Sequence, residues 1–249
     1  MSLALALRRS HIKISRGNIS LLGFSGLVIF FHLLVQVSGM RFTTATNTAW
    51  IVSTSPVFVA FLSYLFLKEK LTWLKLSGIL LAGLGVIFLV SKGELGNIKF
   101  ISSRGDLLVL LSSLTWAIYS ITSKKLLETY SATLITLYSL LLVCILVLPF
   151  NLNQKSFASI IGLSKTGWLA ILYLGIFCSG IAYLFWSKAL KQQDATKVSV
   201  YLYLEPLVAL FGAGLILKEA ITLWTVLGGV LIILGVYVVS IKKGLITVG

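Results

Sequence analysis

Long apolar segments separated by short polar turns make up most of the chain. Eight are long enough to cross about 30 Å of hydrocarbon as helices: residues 19–40, 45–67, 71–90, 106–126, 132–150, 167–190, 195–217 and 221–241. Helices are required at that depth because lipid gives the backbone of an open strand no hydrogen-bonding partner. The pattern therefore predicts an all-α integral membrane protein with eight transmembrane helices.

The chain also contains an internal repeat, in which residues 41–90 align without a gap onto residues 191–240. The alignment matches distinctive residues as well as leucines: Ala45-Thr46 with Ala195-Thr196, Pro56 with Pro206, Lys68-Glu69 with Lys218-Glu219, Gly78 with Gly228 and Gly85 with Gly235. The leucine-rich composition of membrane helices does not account for shared proline, glutamate and glycine positions. Duplication of this kind is the usual ground plan of a carrier.

The repeat predicts the domain organisation. Segment 167–190 pairs with segment 19–40 at the same offset, whereas segments 106–126 and 132–150 have no counterpart in the first copy. We therefore expect the first repeat to lack its first two helices. The predicted order is a basic cytoplasmic tail (1–18), an incomplete first repeat of three helices (19–91), a loop (92–105), a complete second repeat of five helices (106–241) and a cytoplasmic tail (242–249).

Charge predicts the orientation in the membrane. Lysine and arginine are about twice as frequent in the turns on one side of the predicted bilayer as on the other. Because positive residues favour the cytoplasmic side, both termini are predicted to be cytoplasmic, with the protein in the cell membrane. The Lys68-Glu69 turn then faces inward and its copy, Lys218-Glu219, faces outward. The net charge of +14 is scattered between apolar segments, so the lipid bilayer is the expected partner and nucleic acid is not.

Enzyme and metal chemistry find little support in the sequence. Cys144 and Cys178 are isolated thiols within apolar segments, so neither a disulfide, a metal site nor a cofactor is predicted. Residues 23–26 match the Gly-x-Ser-Gly pattern of rhomboid-type proteases, with Ser25 as the nucleophile. That chemistry needs a base on another helix, yet His32 lies on the same helix, so an intramembrane enzyme is disfavoured.

Glu205 is the strongest candidate for function, because it is the only acid near the middle of a predicted span. A charge at that depth costs about 2.5–3.5 kcal/mol on insertion scales, so the carboxyl should face a cavity or a partner, or be protonated. A proton-coupling site, a partner for a substrate amine and a structural hydrogen bond all fit. Pro56 and Pro206 cannot donate to the carbonyls of Val52 and Leu202, which predicts kinks that shape a cavity or serve packing alone.

Further polar and aromatic residues within the spans are candidates for lining a substrate cavity. Interhelical hydrogen bonds and interfacial aromatic belts are the structural alternatives. The candidates are His32 and Gln36 on the first span, Asn47, Trp50 and Thr54 on the second, Ser112, Trp116 and Tyr119 on the fourth, and Tyr183, Trp186 and Tyr201 on the sixth and seventh.

The repeated pattern resembles the EamA-type branch of the drug/metabolite transporter superfamily. It consists of Ala195-Thr196, Glu205-Pro206, Lys218-Glu219, Gly228 and Gly235, its first-repeat version, and Gly105-Asp106 followed by Trp116-Ala117-Ile118-Tyr119. The resemblance implies ten helices in two inverted five-helix repeats around a central cavity, moving small organic solutes without ATP. This chain departs from that plan, since three plus five helices are expected here.

Two functional hypotheses follow. The first is a secondary carrier or exporter of small organic metabolites, such as amino acids or drugs, working by alternating access with a proton as a candidate coupling ion. The alternative is a non-transporting truncated product, or a subunit that obtains the missing helices from a partner chain. A second copy and a complementing chain are therefore both candidate protein partners.

Overall fold

The structure is a computed structural model that describes residues 15–91, 101, 103–151, 160–209 and 222–241. Within these ranges the secondary structure is helical and contains no strand, which confirms the all-α prediction. The α-helices are α1 (Arg16–Met40), α2 (Ala45–Val52), α3 (Ser55–Phe66), α4 (Trp73–Ser91), α5 (Arg104–Leu127), α6 (Ala132–Asn151), α7 (Lys165–Tyr173), α8 (Ala182–Gln192), α9 (Ala195–Val200) and α10 (Leu223–Ser240).

Seven helical stretches among the described residues are long and apolar enough to cross a bilayer. They are Arg16–Met40, Asn47–Phe66, Trp73–Ser91, Arg104–Leu127, Ala132–Phe150, Lys165–Gln192 and Leu223–Ser240. Each overlaps one of the eight predicted spans. The remaining predicted span, 195–217, is described only as far as residue 209, and most of the predicted tails and of the loop 92–105 also lies outside the described residues.

Two of the predicted spans are interrupted near their prolines. Helices α2 and α3 are separated by a turn at Ser53 and Thr54, immediately before Ser55-Pro56. Helix α9 is followed by a 3-10 helix, Tyr201–Leu204, and the α-helical conformation resumes at Glu205. Proline has no N–H to complete the bond to the carbonyl four residues earlier, so a regular α-helix cannot continue through either position unchanged.

The stretch from Lys165 to Gln192 contains a feature that the sequence analysis did not predict. Between α7 and α8 the backbone forms a π-helix over Leu174–Ile181. We predicted a regular helix there. The sequence could not reveal the π-helix, because hydropathy does not distinguish a π-helical turn from an α-helical one in an apolar segment.

By internal contacts the chain divides into two units. The first comprises residues 1–33 and 118–193. Hydroxyl pairs and helix ends hold its described part together: the Thr136 hydroxyl donates to that of Ser187 at 2.9 Å. Lys124 on α5 donates to the carbonyl of Gln193 at 2.7 Å, and Lys191 donates to that of Tyr130 at 2.7 Å. Cations at helix C-termini satisfy carbonyls that have no partner within the helix.

The second unit comprises residues 34–117 and 194–249. Its core includes buried side chains of α3, α4, α9 and α10, among them Ala82, Val86, Tyr203 and Ile232. Helices α4 and α10 approach each other through glycines. A Cβ built on Gly78 would lie 2.7 Å from the carbonyl oxygen of Gly235. This close approach is possible because neither position carries a side chain.

Candidate functional site

Glu205 lies in the wall of a cavity of about 310 Å³ in the second unit. We call this space the Glu205 cavity. The end of α1, helix α2 and the segment around Pro206 form its walls. Its lining consists of Gln36, Met40, Thr48, Ala49, Val52, Ser53, Leu202, Glu205, Pro206 and Ala209. No lysine, arginine or second acid is among these residues.

The two helix interruptions contribute directly to the cavity wall. Val52 and Leu202 are the residues whose carbonyls cannot receive a bond from Pro56 and Pro206, and both line the cavity. Non-helical backbone at membrane depth is tolerated where it lines a cavity or is buried in protein. The Leu202 carbonyl instead accepts from the Glu205 backbone N–H in the 3-10 turn, so this stretch of the cavity wall is paired backbone.

The hydroxyl groups of the cavity present acceptor lone pairs. Thr48 Oγ1 donates its hydrogen to the carbonyl of Thr44 at 2.9 Å, and Ser53 Oγ donates to the carbonyl of Ala49 at 2.8 Å. Because each hydroxyl has only one hydrogen, the lone pairs of both oxygens remain as acceptors. Together with the Glu205 carboxylate they make a surface that favours cations and hydrogen-bond donors.

Glu205 as a whole residue is exposed, and within the described residues its carboxylate makes no hydrogen bond or ion pair. Of the interpretations that the sequence left open, the place of Glu205 in the cavity lining favours an acid that faces a cavity.

A second space adjoins the first. This groove of about 220 Å³, which we call the Trp50 groove, is lined by Trp50, Ser53, Thr54, Val57, Ile79, Leu80, Gly83, Leu84, Ile87 and Tyr203. Ser53 lines both spaces. The groove is mainly apolar, and Val57, Leu80 and Leu84 on its rim are between 50% and 60% exposed.

The predicted candidates divide between these spaces and other parts of the protein. Gln36 lines the Glu205 cavity, and Trp50 and Thr54 line the Trp50 groove. Asn47 donates from its amide to Asp106 at 3.4 Å. His32 is buried within α1, in the first unit.

The remaining candidates line neither space. Tyr119 is fully buried in the first unit, with its ring centroid 6.2 Å from that of Tyr183. Ser112 donates to the carbonyl of Val109 at 2.7 Å. Neither Trp116 nor Trp186 belongs to the lining of either space. Tyr201 is 52% exposed, and its hydroxyl pairs with that of Ser240 at 3.1 Å.

The sequence analysis missed Tyr203 and Gly83 in the groove, and Thr48 in the cavity. For Tyr203 the reason is geometric. A regular α-helix turns about 100° per residue and places residue 201 near the face of residue 205, whereas a 3-10 helix turns about 120° per residue. Over Tyr201–Leu204 this difference rotates Tyr201 away from Glu205, and it is Tyr203 that lines the groove.

A carboxylate anchors the N-terminus of α9, the helix that leads to Glu205. Glu69 accepts hydrogen bonds from the backbone amides of Ala195 at 2.6 Å and Thr196 at 3.1 Å, and from the Thr196 hydroxyl at 2.8 Å. Lys68 beside it has a left-handed φ of 55°. Asp194, the residue directly before this helix, makes no cap bond and instead pairs with Lys75 at 2.9 Å.

Another carboxylate anchors the segment that enters α2. Asp106 is fully buried and accepts hydrogen bonds from the Thr43 hydroxyl and from the backbone amide of Ser103, the latter at 3.0 Å. The Ser103 hydroxyl accepts from the Asp106 amide at 3.1 Å, which completes a capping box at the start of α5. Acids thus hold the N-terminal ends of both interrupted helices.

The structure also shows the surroundings of the residues considered for protease, disulfide and metal chemistry. Ser25 lies in the first unit, and its hydroxyl is 3.4 Å from that of Ser123 and 3.3 Å from that of Thr122, so its partners are hydroxyls rather than an imidazole. Cys144 and Cys178 are free thiols. Among the described residues no group of three or more His, Cys, Asp or Glu is placed to hold a metal ion.

Comparison with known proteins identifies relatives. Residues 1–91 and 103–241 match the EamA-like transporter family. An uncharacterized transporter of Archaeoglobus fulgidus is 35% identical over 229 residues, which cover 91% of this chain and 76% of the relative. The uncharacterized transporter YyaM of Bacillus subtilis is 27% identical over 238 residues, covering 94% and 76%. One crystal structure, 20% identical, shares the fold with a TM-score of 0.77 over 95% of this chain and 80% of that chain.

Proposed function

Because this chain belongs to the EamA-like transporter family, we propose that it is a secondary carrier whose Glu205 cavity binds small organic solutes such as amino acids or drugs. The protein is a multi-pass membrane transporter, and its family and relatives point to transport rather than catalysis. The proposal adds the binding site, the class of solute and the mechanism.

The observation that carries the proposal is the position of Glu205 in the wall of a cavity whose described lining contains no other charged residue. An ionisable group inside a membrane-spanning segment is costly, and such groups commonly mark substrate or ion pathways. Hydroxyl lone pairs of Thr48 and Ser53 add to its negative potential. One carboxylate can hold either a proton or an organic cation, so exchange between the two would couple solute movement to a proton gradient.

Alternating access is supported by the relation between the two sequence repeats. Gly78 and Gly85 align with Gly228 and Gly235 along the sequence, but in space Gly78 meets Gly235 and Gly85 meets Gly228. This crossed pairing is what two copies of one helix produce when they run antiparallel. Inverted repeats of this kind allow a central site to open to each side of the membrane in turn.

We also propose that the protein lies in the cell membrane with both termini in the cytoplasm, as the lysine and arginine distribution favours. The two turns that flank the α2–α3 span should then face opposite sides. In a variant that lacks both cysteines, an impermeant thiol reagent added to intact cells should label Arg41→Cys and spare Lys70→Cys. Labelling of Lys70→Cys alone would show that the orientation is the opposite of the one proposed.

Counterflow in proteoliposomes tests the carrier proposal. Vesicles containing the purified chain are loaded with unlabelled tetramethylammonium or phenylalanine, and the same solute is added outside in labelled form. A carrier accumulates label transiently above equilibrium, because exchange through one site is faster than net flux. Protein-free vesicles are the control. Simple equilibration would indicate a channel, and no uptake of either solute would favour the alternative that this chain needs a partner chain or does not transport.

A further inference from the structure

We propose that the Trp50 groove is the second half of the solute site, and that the preferred solute is an organic cation with an apolar tail. The cationic head lies in the Glu205 cavity and the tail lies in the groove, which opens toward the lipid. This inference rests on the proposed function, since it assigns a substrate class to the same site.

The first argument is continuity between the two spaces. Ser53 lines both, and it belongs to the turn that separates α2 from α3. On the other wall, Leu202 lines the cavity and the next residue, Tyr203, lines the groove. The two helix interruptions thus form the boundary between the spaces, and a solute that passes Ser53 contacts both.

The second argument is the contrast in chemistry on either side of Ser53. The cavity offers a carboxylate and hydroxyl lone pairs. In the groove the Thr54 hydroxyl donates to the carbonyl of Ile51 at 2.6 Å, which leaves mostly aromatic and aliphatic surface, including Trp50 and Tyr203. A molecule that is charged at one end and apolar at the other matches this arrangement in a single orientation.

The third argument is size. Ligand sites for small organic molecules usually have volumes of about 300–1,000 Å³. The cavity, at about 310 Å³, lies at the lower limit, and the groove, at about 220 Å³, lies below it. Joined at Ser53, the two fall within the usual range. Because exposed side chains of Val57, Leu80 and Leu84 form the rim, a longer tail can extend into the lipid without a steric limit.

Gly83 provides a selective way to block the groove. It is the one glycine of α4 that lines this space, and a Cβ built there meets only the Tyr203 hydroxyl, at 3.7 Å. A leucine at this position would occupy the groove, whereas an alanine would make ordinary van der Waals contact. Gly78 and Gly85 of the same helix face α10 instead, so Gly83 substitutions do not disturb that helix contact.

The test compares the affinities of two cations for the full chain in nanodiscs of one lipid composition. Tetramethylammonium has the head alone, and hexyltrimethylammonium has the head and a tail. We expect the hexyl compound to bind wild type more tightly. Gly83→Leu should weaken its binding about tenfold or more, the range for losing apolar contact in a pocket, and leave tetramethylammonium within about twofold. Gly83→Ala should stay near wild type, and Glu205→Gln should weaken both cations.

Each other outcome overturns a defined part of this account. Equal affinity of wild type for the two cations, as expected if a lipid acyl chain fills the groove, overturns the groove assignment. An unchanged hexyl affinity in Gly83→Leu, or an equal loss for both cations, does the same. If neither cation binds wild type, or if Glu205→Gln binds both normally, the cation-binding role of the cavity fails as well. Comparing variants in one lipid cancels partitioning of the hexyl compound into the bilayer, and subtracting its uptake by protein-free nanodiscs of the same lipid removes partitioning from the wild-type comparison of the two cations.

Discussion

Gly85 and Gly228 touch backbone to backbone: a Cβ on either residue would come within 2.6 Å of the carbonyl oxygen of the other. Gly78 and Gly235 repeat this relationship seven residues further along each helix. A Cβ on Gly78 would lie 2.7 Å from the carbonyl oxygen of Gly235, and a Cβ on Gly235 would lie 2.6 Å from that of Gly78. The four glycines give α4 and α10 a close antiparallel crossing that larger residues would prevent. This crossing forms part of the buried core of the second unit. Tyr203 belongs to the same core and also lines the Trp50 groove.

The first prediction concerns this crossing. Gly85→Ala should lower the free energy of unfolding by about 1–3 kcal/mol, because the added methyl overlaps backbone atoms of α10. Gly83→Ala, two residues away on the same helix, is the matched control. It should be neutral or stabilising by up to about 1 kcal/mol, since alanine has the higher helix propensity. Thermal unfolding in detergent measures both, and equal shifts would contradict the close contact.

Sequence reasoning predicted the helices well, because hydropathy and length decide whether a segment spans a bilayer. It also predicted that Pro56 and Pro206 disturb their helices. It could not predict which side chains face the cavity, since that depends on the local turn. The 3-10 helix before Glu205 turns Tyr201 away from the face of Glu205, and no property of this tyrosine reveals that in the sequence.

Long-range partners were also beyond the sequence. Asp194 stands directly before α9, at the position that an N-cap residue normally occupies. In the structure the Asp194 carboxylate forms an ion pair with Lys75, which is distant in sequence. Glu69 caps the helix instead. The repeated Lys68-Glu69 pair was visible in the sequence, but its target on another helix depends on tertiary packing.

The second prediction concerns the Glu69 anchor. Glu69→Ala removes all three hydrogen bonds to the start of α9 and should lower the free energy of unfolding by about 1 kcal/mol, as for loss of a helix N-cap. Thr196→Val removes only the hydroxyl bond and should cost less. Chemical denaturation of the two variants gives the order, and a larger loss in Thr196→Val would show that the carboxylate is not the anchor.

The third prediction concerns Asp106. Asp106→Asn replaces an acceptor with an amide in a buried site whose neighbours Thr43, Asn47 and Ser103 all donate. We expect a loss of about 1–3 kcal/mol in the free energy of unfolding. Glu128→Gln is a comparable change at an exposed acid just after α5, where a surface substitution should cost about 0.5 kcal/mol or less. Similar melting temperatures for the two variants would argue against the buried network.

The fourth prediction separates cavity shape from helix stability. Pro206→Ala supplies an N–H that competes with the Glu205 amide for the carbonyl of Leu202, so the 3-10 turn should become regular α-helix and the cavity wall should change. We expect counterflow to fall severalfold while the melting temperature stays the same or rises. Pro149→Ala is the matched control, because Pro149 lies inside α6 in the other unit and lines neither space. Loss of counterflow in the control alone, or in neither variant, would reject the role of Pro206.

The most direct test of the central claim is tetramethylammonium uptake driven by a pH gradient in proteoliposomes. Glu205→Gln is compared with Glu128→Gln, the same substitution at an exposed acid just after α5. We predict that Glu128→Gln accumulates the cation like wild type, and that Glu205→Gln shows no accumulation above protein-free vesicles although equal amounts of folded protein are present. Accumulation at the wild-type rate by Glu205→Gln would contradict the claim that solute and proton share this carboxylate.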